Sequence, residues 1–197
     1  MKTKTFTDEQ DWLDARRGRI TGTRLKDLIV KRGTGKKKGF YEIIAERIAI
    51  PATEESAMDR GKRIEDEAIE RFIKETGKEV NNDLILWHRD DDENIAVSPD
   101  GQIGETEAVE VKCLSSASHI EAWLTKEIPS EYEYQVLQYF IVNDKLETLY
   151  FVFYDPRMPK DFFFYEVKRD QVKVDEYLEL ERRVLEEIAD IEKTLTF

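Results

Sequence analysis

The spacing of apolar residues changes character near Glu79, and that change decides what class of fold the chain can adopt. Upstream, Ile64, Ala68 and Phe72 recur four apart, which places them on one stripe of a helix over about 56–76, with Gly77 as its stop. Downstream, short apolar runs at 84–87, 95–97 and 108–114 read as strands, joined by turns at 89–94 and 99–106. Ser130 with Glu133 forms a capping box that opens a helix to about Val142. Two aromatic strands follow, 148–154 and 162–167, separated by a turn around Pro156 and Pro159. Residues 174–194 then return to helical spacing, apolar at Tyr177, Leu180, Val184, Leu185, Ile188 and Ile191. Helices before and after a block of strands, with one helix crossing between strands, specify an α/β fold: a central mixed β-sheet flanked by helices. At 197 residues the chain is the size of a single domain.

The amino-terminal quarter has a different composition. Thr7 and Gln10 form a capping box ahead of Trp12 and Leu13, predicting a short helix over 8–17 that ends at Gly18. A second short helix starts at Thr21 and uses Leu25, Leu28 and Ile29 as its apolar face, leaving Arg24, Lys26 and Lys31 for solvent or a ligand. Residues 33–39 combine glycines with Lys36, Lys37 and Lys38 and read as a basic loop. Helix resumes over 40–50 and ends before Pro51. The expected organisation is therefore a basic helical part at 1–50, a core at 56–167 and a carboxy-terminal helix at 173–195.

The net charge of −12 argues at first against a phosphate-bearing partner. Its distribution argues the other way. Residues 1–50 hold 13 basic against 7 acidic side chains, and residues 51–197 hold 18 against 36. A phosphate backbone responds to the field within a Debye length, about 10 Å, so a local basic patch on an acidic body suits a protein that grips DNA in one place. No apolar run is long enough to cross a bilayer, and polar Lys2, Thr3 and Lys4 at the start do not resemble a signal peptide. One cysteine, Cys113, can make neither an internal disulfide nor, unaided, a zinc or iron–sulfur site. The expectations are a soluble cytoplasmic protein without a membrane partner, whose chemistry is done by oxygen and nitrogen groups.

That chemistry concentrates in Ser98-Pro99-Asp100-Gly101 and, ten residues after Asp100, Glu110-Val111-Lys112. On a strand, residues two apart share a face, so Glu110 and Lys112 project together while Val111 and Cys113 face the other side. A hairpin through the Asp-Gly turn would bring Asp100 beside Glu110. Two carboxylates with the Val111 backbone carbonyl make a hard oxygen site of the kind Mg²⁺ accepts, completed by water and phosphate. Such an ion can lower the pKa of bound water and neutralise charge at a phosphodiester, with Lys112 beside it as activator or charge stabiliser. A hairpin carrying an ordinary Glu110–Lys112 salt bridge is the blander alternative.

Six blocks in order over about residues 12–158 resemble one family. They are Trp12-x-x-x-Arg16-x-Gly18-x-Ile20-Thr21, Gly61-x-x-x-Glu65-x-x-Ala68, Ser98-Pro99-Asp100-Gly101, Glu110-Val111-Lys112-Cys113, Tyr132-x-x-Gln135-Val136 and Tyr154-Asp155-Pro156-Arg157-Met158. The family is the lambda-type phage alkaline exonucleases, YqaJ-like viral recombinases within the PD-(D/E)xK nuclease superfamily with its restriction-endonuclease-like fold. The resemblance implies a Mg²⁺-dependent 5′-to-3′ exonuclease, with Mn²⁺ substituting, that degrades the 5′-phosphorylated strand of linear double-stranded DNA. The 3′ single-stranded tail would go to a phage-type annealing protein. It also implies that Asp100, Glu110 and the Val111 carbonyl ligate metal, Lys112 is catalytic, Glu65 adds a carboxylate directly or through water, and Gln135 orients the lysine or the water. Arg16, Thr23 and Ser98 would hold the terminal 5′-phosphate, with Arg24, Lys31, Arg32, Lys36, Lys37 and Lys38 on the DNA. Thr23 stands where a serine is usual, keeping the hydroxyl and adding a methyl. Family members form rings around DNA, most often homotrimers, which would let an acidic chain act processively.

Several residues have plainer readings beside these. Met58 is either an exposed wedge for the duplex or a buried helix-start contact. Trp12 is expected in the core, Asp90 to Glu93 as an acidic turn, and His88 and His119 as structural, since neither has partners at metal-ligand spacing. Tyr154 to Met158 match the family without a physical role. An endonuclease or repair nuclease of the same superfamily, and a non-catalytic DNA-end adaptor, are the alternative functions.

Overall fold

The computed structural model describes residues 1–16 and 57–195. Its strands divide between two sheets instead of forming one. The first is three-stranded and antiparallel, with β1 (Lys2–Phe6), β2 (Leu84–His88) and β3 (Ala96–Val97) in that order. The second is mixed, with β4 (Gly101–Ile103), β5 (Glu107–Lys112), β6 (Thr148–Tyr154) and β7 (Phe162–Lys168) in order. Among the described residues only β5 and β6 run parallel, and a parallel pair needs a long crossover. That crossover contains two helices where the sequence pattern indicates one: α3 (Ser116–Thr125) and α4 (Glu133–Val142). The remaining helices among the described residues are α1 (Glu9–Arg16), α2 (Ala57–Thr76) and α5 (Gln171–Leu195).

Both faces of β5 and β6 are covered, so their side chains alternate between two apolar layers. Val109, Val111, Tyr150 and Val152 point to α2, whose Ala68, Ile69 and Phe72 complete that layer. Ala108, Leu149, Phe151 and Phe153 point the other way, into a larger core with Ile85, Trp87, Val136, Leu137, Tyr139 and Phe140. The helical stripe read from the sequence is buried as expected, with Ile64, Ala68 and Phe72 all at 1% exposure or less. Gly77 ends α2 at φ +69, the left-handed position a glycine supplies, and its N–H reaches the Ile73 carbonyl at 2.8 Å.

α4 sits between the first sheet and α5, and every residue from Tyr134 to Val142 is buried. Its carboxy-terminal carbonyls are taken by two arginines. Arg89 donates to Ile141, and Arg169 donates to Phe140 at 2.8 Å and Asn143 at 2.6 Å. Cations there complement the helix dipole as well as satisfying open acceptors. This helix is thus fixed at its far end before it reaches the functional residues.

Three features differ from the sequence reading for identifiable reasons. β1 is a polar edge strand whose pattern in Lys2 to Phe6 carries little periodicity. Gly101–Ile103, read as turn, pairs with Val109, Ala108 and Glu107 as β4. α3, to which the sequence reading assigned no element, has Ser115 as its N-cap, accepting from the Ser118 N–H at 3.3 Å, and buries Ala117, Ile120 and Ala122.

Candidate active site

Asp100 stands immediately before β4, at the point where that strand leaves β5. Gly101 pairs with Val109, and beyond it the edge of β5 has no strand partner on that side among the described residues. The Asp100 carboxylate occupies the gap and accepts the Val111 N–H at 2.7 Å. In an extended strand a residue's N–H and C=O lie along the same edge, so the Val111 carbonyl faces the same opening. Gly101 makes the approach possible. A Cβ there would lie 2.5 Å from a Val80 methyl and 3.3 Å from the Val109 Cβ.

Glu110 and Lys112 point together to the α4 side, as the alternation requires. The face they share is not solvent: Glu110 is only 2% exposed. Both of its carboxylate oxygens nonetheless accept hydrogen bonds. Lys112 Nζ and Gln135 Nε2 both donate to Oε1, and the Tyr139 hydroxyl donates to Oε2. The Tyr139 hydroxyl lies 3.2 Å from the Ser98 carbonyl as well, so one side chain of α4 touches both arms of the site. Tyr132 flanks the lysine, with Lys112 Nζ 5.3 Å from its ring centroid. Glu65, from α2 on the opposite face of the sheet, lines the same cleft as Asp100, close enough for its charge to act on it.

Three carboxylates around one lysine leave an excess of negative charge, which burial sharpens. Burial pushes Asp100 well above the usual carboxylate range, and the Glu65 charge adds to it. Glu110 rises to about 7, first through burial, then through Asp100, despite the opposing pull of Lys112 and Tyr139. Burial would lower Lys112, but Glu110 and Asp100 outweigh it and hold the ammonium charged. Burial and then Glu110 raise the Tyr139 hydroxyl far out of reach, so it remains a donor. Such an arrangement is costly unless protons or a cation relieve it.

Among the described residues no three His, Cys, Asp or Glu side chains close on one point as a ready-made cage. The donor set is two carboxylates and a backbone carbonyl, with the Glu65 carboxylate on the adjoining cleft. It is all hard oxygen and suits a divalent ion that keeps several waters. Beside it lies a cleft of about 340 Å³ lined by Trp12, Glu65, Ile69, Asn82, Pro99 and Asp100, among others.

Arg16 is half-buried, its guanidinium 4.4 Å from the Trp12 ring centroid and close enough to act on the Tyr139 hydroxyl. Trp12 is itself anchored, its indole N–H 3.4 Å from the Ile85 carbonyl. Among the described residues the Ser98 hydroxyl is buried with no hydrogen-bond partner. Thr23, Arg24, Lys31, Arg32, Lys36, Lys37 and Lys38 lie outside the described residues, as does the side chain of Met58.

The other markers resolve as structure. Asp155 is fully buried and accepts from Ser116 at 2.6 Å and from the Arg157 Nε at 2.9 Å. Burial would raise it, but Arg157 and Ser116 hold it below the usual range. The Tyr154-to-Met158 block therefore locks the end of β6 to the start of α3, four residues beyond Lys112. His119 is buried, with Nε2 at 2.7 Å from the Lys160 carbonyl, and Asp91 pairs with Arg89 and Arg182 in an acidic turn. Tyr139 is the residue of the candidate site that the sequence reading passed over. Its spacing four after Gln135 puts both on one face of α4, which was the available signal.

A model of the YqaJ-like viral recombinase domain matches residues 11–146. An alkaline exonuclease (LHK-Exo) from Laribacter hongkongensis is 27% identical, with a TM-score of 0.72 over 94% of this chain and 97% of that one. The same exonuclease in complex with dAMP gives 28% identity and a TM-score of 0.73, over 94% and 95%. A phage-related exonuclease from Haemophilus somnus 129PT, at 12% identity and a TM-score of 0.54 over 88% of this chain and 96% of that one, shares the fold. No curated protein matches the sequence.

Proposed function

Because the chain belongs to the YqaJ-like viral recombinase family, we propose that it is a metal-dependent exonuclease degrading the 5′-phosphorylated strand of linear double-stranded DNA. The observation that carries this reading is the buried Glu110 held by Lys112, Gln135 and Tyr139, with Asp100 beside it and Glu65 behind. That is the chemistry of a phosphodiesterase: hard oxygens for a cation and one fixed ammonium for the developing charge.

Asp100, Glu110 and the Val111 carbonyl would hold Mg²⁺, or Mn²⁺ in its place, with Glu65 contributing directly or through water. When bound, the ion supplies charge neutralisation at the phosphodiester and a more acidic water. The chain's own residues do the rest. Lys112 stays protonated beside Glu110 and is placed to stabilise the negative charge that grows on the scissile phosphate. Gln135 and Tyr139 fix the Glu110 carboxylate from behind, so its open lone pairs keep one direction. Arg16 and the unpartnered Ser98 hydroxyl are the available donors for a terminal 5′-phosphate, with Thr23 as the third.

The dAMP bound by the similar exonuclease supports a nucleoside monophosphate as the product here. The rest of the proposal follows from 5′-strand removal: 3′ single-stranded tails, a single-strand annealing protein as their recipient, and action in the cytoplasm where the DNA lies. A ring, with a trimer as the expected form, would enclose the product strand, so the acidic exterior costs little affinity.

The test uses purified protein with Mg²⁺ and a linear duplex carrying label at a 5′-phosphate, a 5′-hydroxyl or a 3′ end, beside a nick-free circle. The reading expects early mononucleotide release from the 5′-phosphorylated strand and an intact circle. Cutting of the circle would make the protein an endonuclease. Binding without cleavage in either metal would make it an adaptor.

A further inference from the structure

α5 packs on the side of α4 away from the carboxylates, and it buries one acid there. Glu181 is 1% exposed, and among the described residues its Oε1 has no hydrogen-bond partner. Its other oxygen lies 3.4 Å from Gln138 Nε2. Gln138 is itself fully buried, and the same Nε2 lies 3.5 Å from the Ala96 carbonyl of β3. The next residue of α4, Tyr139, reaches the Ser98 carbonyl. Consecutive side chains of α4 thus hold alternate carbonyls of the strand that runs into Pro99 and Asp100.

The groups facing Glu181 give its charge no home. α4 presents the uncharged Gln138, the end of β2 presents Arg89, and the following turn presents Asp92. Arg89 is committed elsewhere, to Asp91, Asp144 and the Ile141 carbonyl. Asp92 opposes what attraction Arg89 offers. An ionised carboxylate with a bare oxygen in this setting would cost several kcal/mol. A protonated one faces a primary amide, which carries both an acceptor and a donor, and the two groups can exchange a pair of hydrogen bonds.

We propose that Glu181 is a positioning residue for the active site: it keeps its proton in the folded protein, pairs with the Gln138 amide, and through Gln138 fixes α4 against the strand leading to Asp100. Burial raises its carboxyl to about 8, the direction this pairing requires. The catalytic consequence rests on the nuclease reading, whereas the protonation of Glu181 does not.

The experiment compares the intact protein with E181Q, which keeps the shape and cannot ionise, and with E181L, which cannot pair with Gln138. Thermal unfolding is followed from about pH 6 to about pH 9, with chelator present. The wild type should lose stability relative to E181Q as the pH rises through this window. Parallel curves would overturn the claim that Glu181 is protonated. In Mg²⁺ at neutral pH, E181Q should keep kcat within about twofold, while E181L should lose roughly threefold to tenfold in kcat with KM unchanged and its helical signal retained. An E181L kcat equal to the wild type would overturn the positioning role. Failure of the wild type to cleave any duplex would count against the nuclease reading, and the unfolding curves would still decide whether Glu181 holds its proton.

Discussion

Replacing Tyr139 by phenylalanine removes one oxygen from the centre of the site and leaves the rest of the side chain in place. The ring has room to stay, packed edge-on to Trp87 at 6.2 Å, so no cavity larger than a hydroxyl is created. What is lost is a hydrogen bond to a buried carboxylate and a contact with the Ser98 carbonyl. A bond to a charged acceptor contributes about 1.5–3 kcal/mol, and for a chain of this size each kcal/mol shifts Tm by roughly 2–4 °C. The variant should therefore unfold about 3–12 °C below the wild type. Tyr139 also helps hold Glu110 down, so its loss should raise that carboxyl further and weaken metal binding at neutral pH. Removing a partner that orients a ligand typically costs about 10- to 100-fold in affinity or activity. The assay is mononucleotide release from a 5′-phosphorylated linear duplex across pH and Mg²⁺ concentration, alongside differential scanning calorimetry. The loss should shrink as pH or Mg²⁺ rises. A variant with unchanged Tm and unchanged rate would show that the hydroxyl does not hold Glu110.

Gly101→Ala should destabilise the protein by roughly 1–3 kcal/mol, since the new methyl meets Val80 and Val109, and chemical denaturation would read the drop in midpoint. Metal affinity should climb with pH up to the neutral range and level off above it. Glu110 has a folded-state value raised to about 7, so below that pH a proton competes for the same oxygens. Calorimetry in buffers of different ionisation enthalpy should detect proton release at pH 6 that diminishes by pH 8, both values marking roughly one unit either side of that titration. Ser116→Ala removes a buried bond to Asp155 and should cost about 1–2 kcal/mol. Asp155 is held below its ordinary value, so its contribution is present above the normal aspartate range and fades in acid. The stability gap between wild type and variant should close as the pH falls, which thermal melts at several pH values would check.

What the sequence disclosed about the site it disclosed through period and spacing. Glu110 and Lys112 share a face because strands repeat every two residues, and Ile64, Ala68 and Phe72 share one because helices return every fourth. Asp100 was placed near Glu110 by the Asp-Gly turn, and the bond to Val111 N–H bears that out. Other features had no local signature. Lys2–Phe6 becomes a strand only because β2 offers its edge, and Glu110 reads as exposed until α4 arrives from a distant part of the chain. Glu181 sits in a helix full of charge, and nothing nearby in sequence marks it as an acid turned inward. The buried role of Asp155 likewise depends on Ser116, 39 positions away.

The central claim is that the Glu110 cluster is a nuclease active site. The most direct measurement is the rate of nucleotide release from a linear duplex in Mg²⁺ by the wild type, Glu110→Gln and Lys112→Ala, with thermal unfolding of each followed in parallel. Glu110→Gln keeps the shape of the side chain while removing the charge that pairs with Lys112 and would bind metal. The account predicts robust release by the wild type and losses of at least about a thousandfold in both variants while they remain folded. Release by both folded variants at the wild-type rate would contradict it, because the chemistry would then lie elsewhere on the chain.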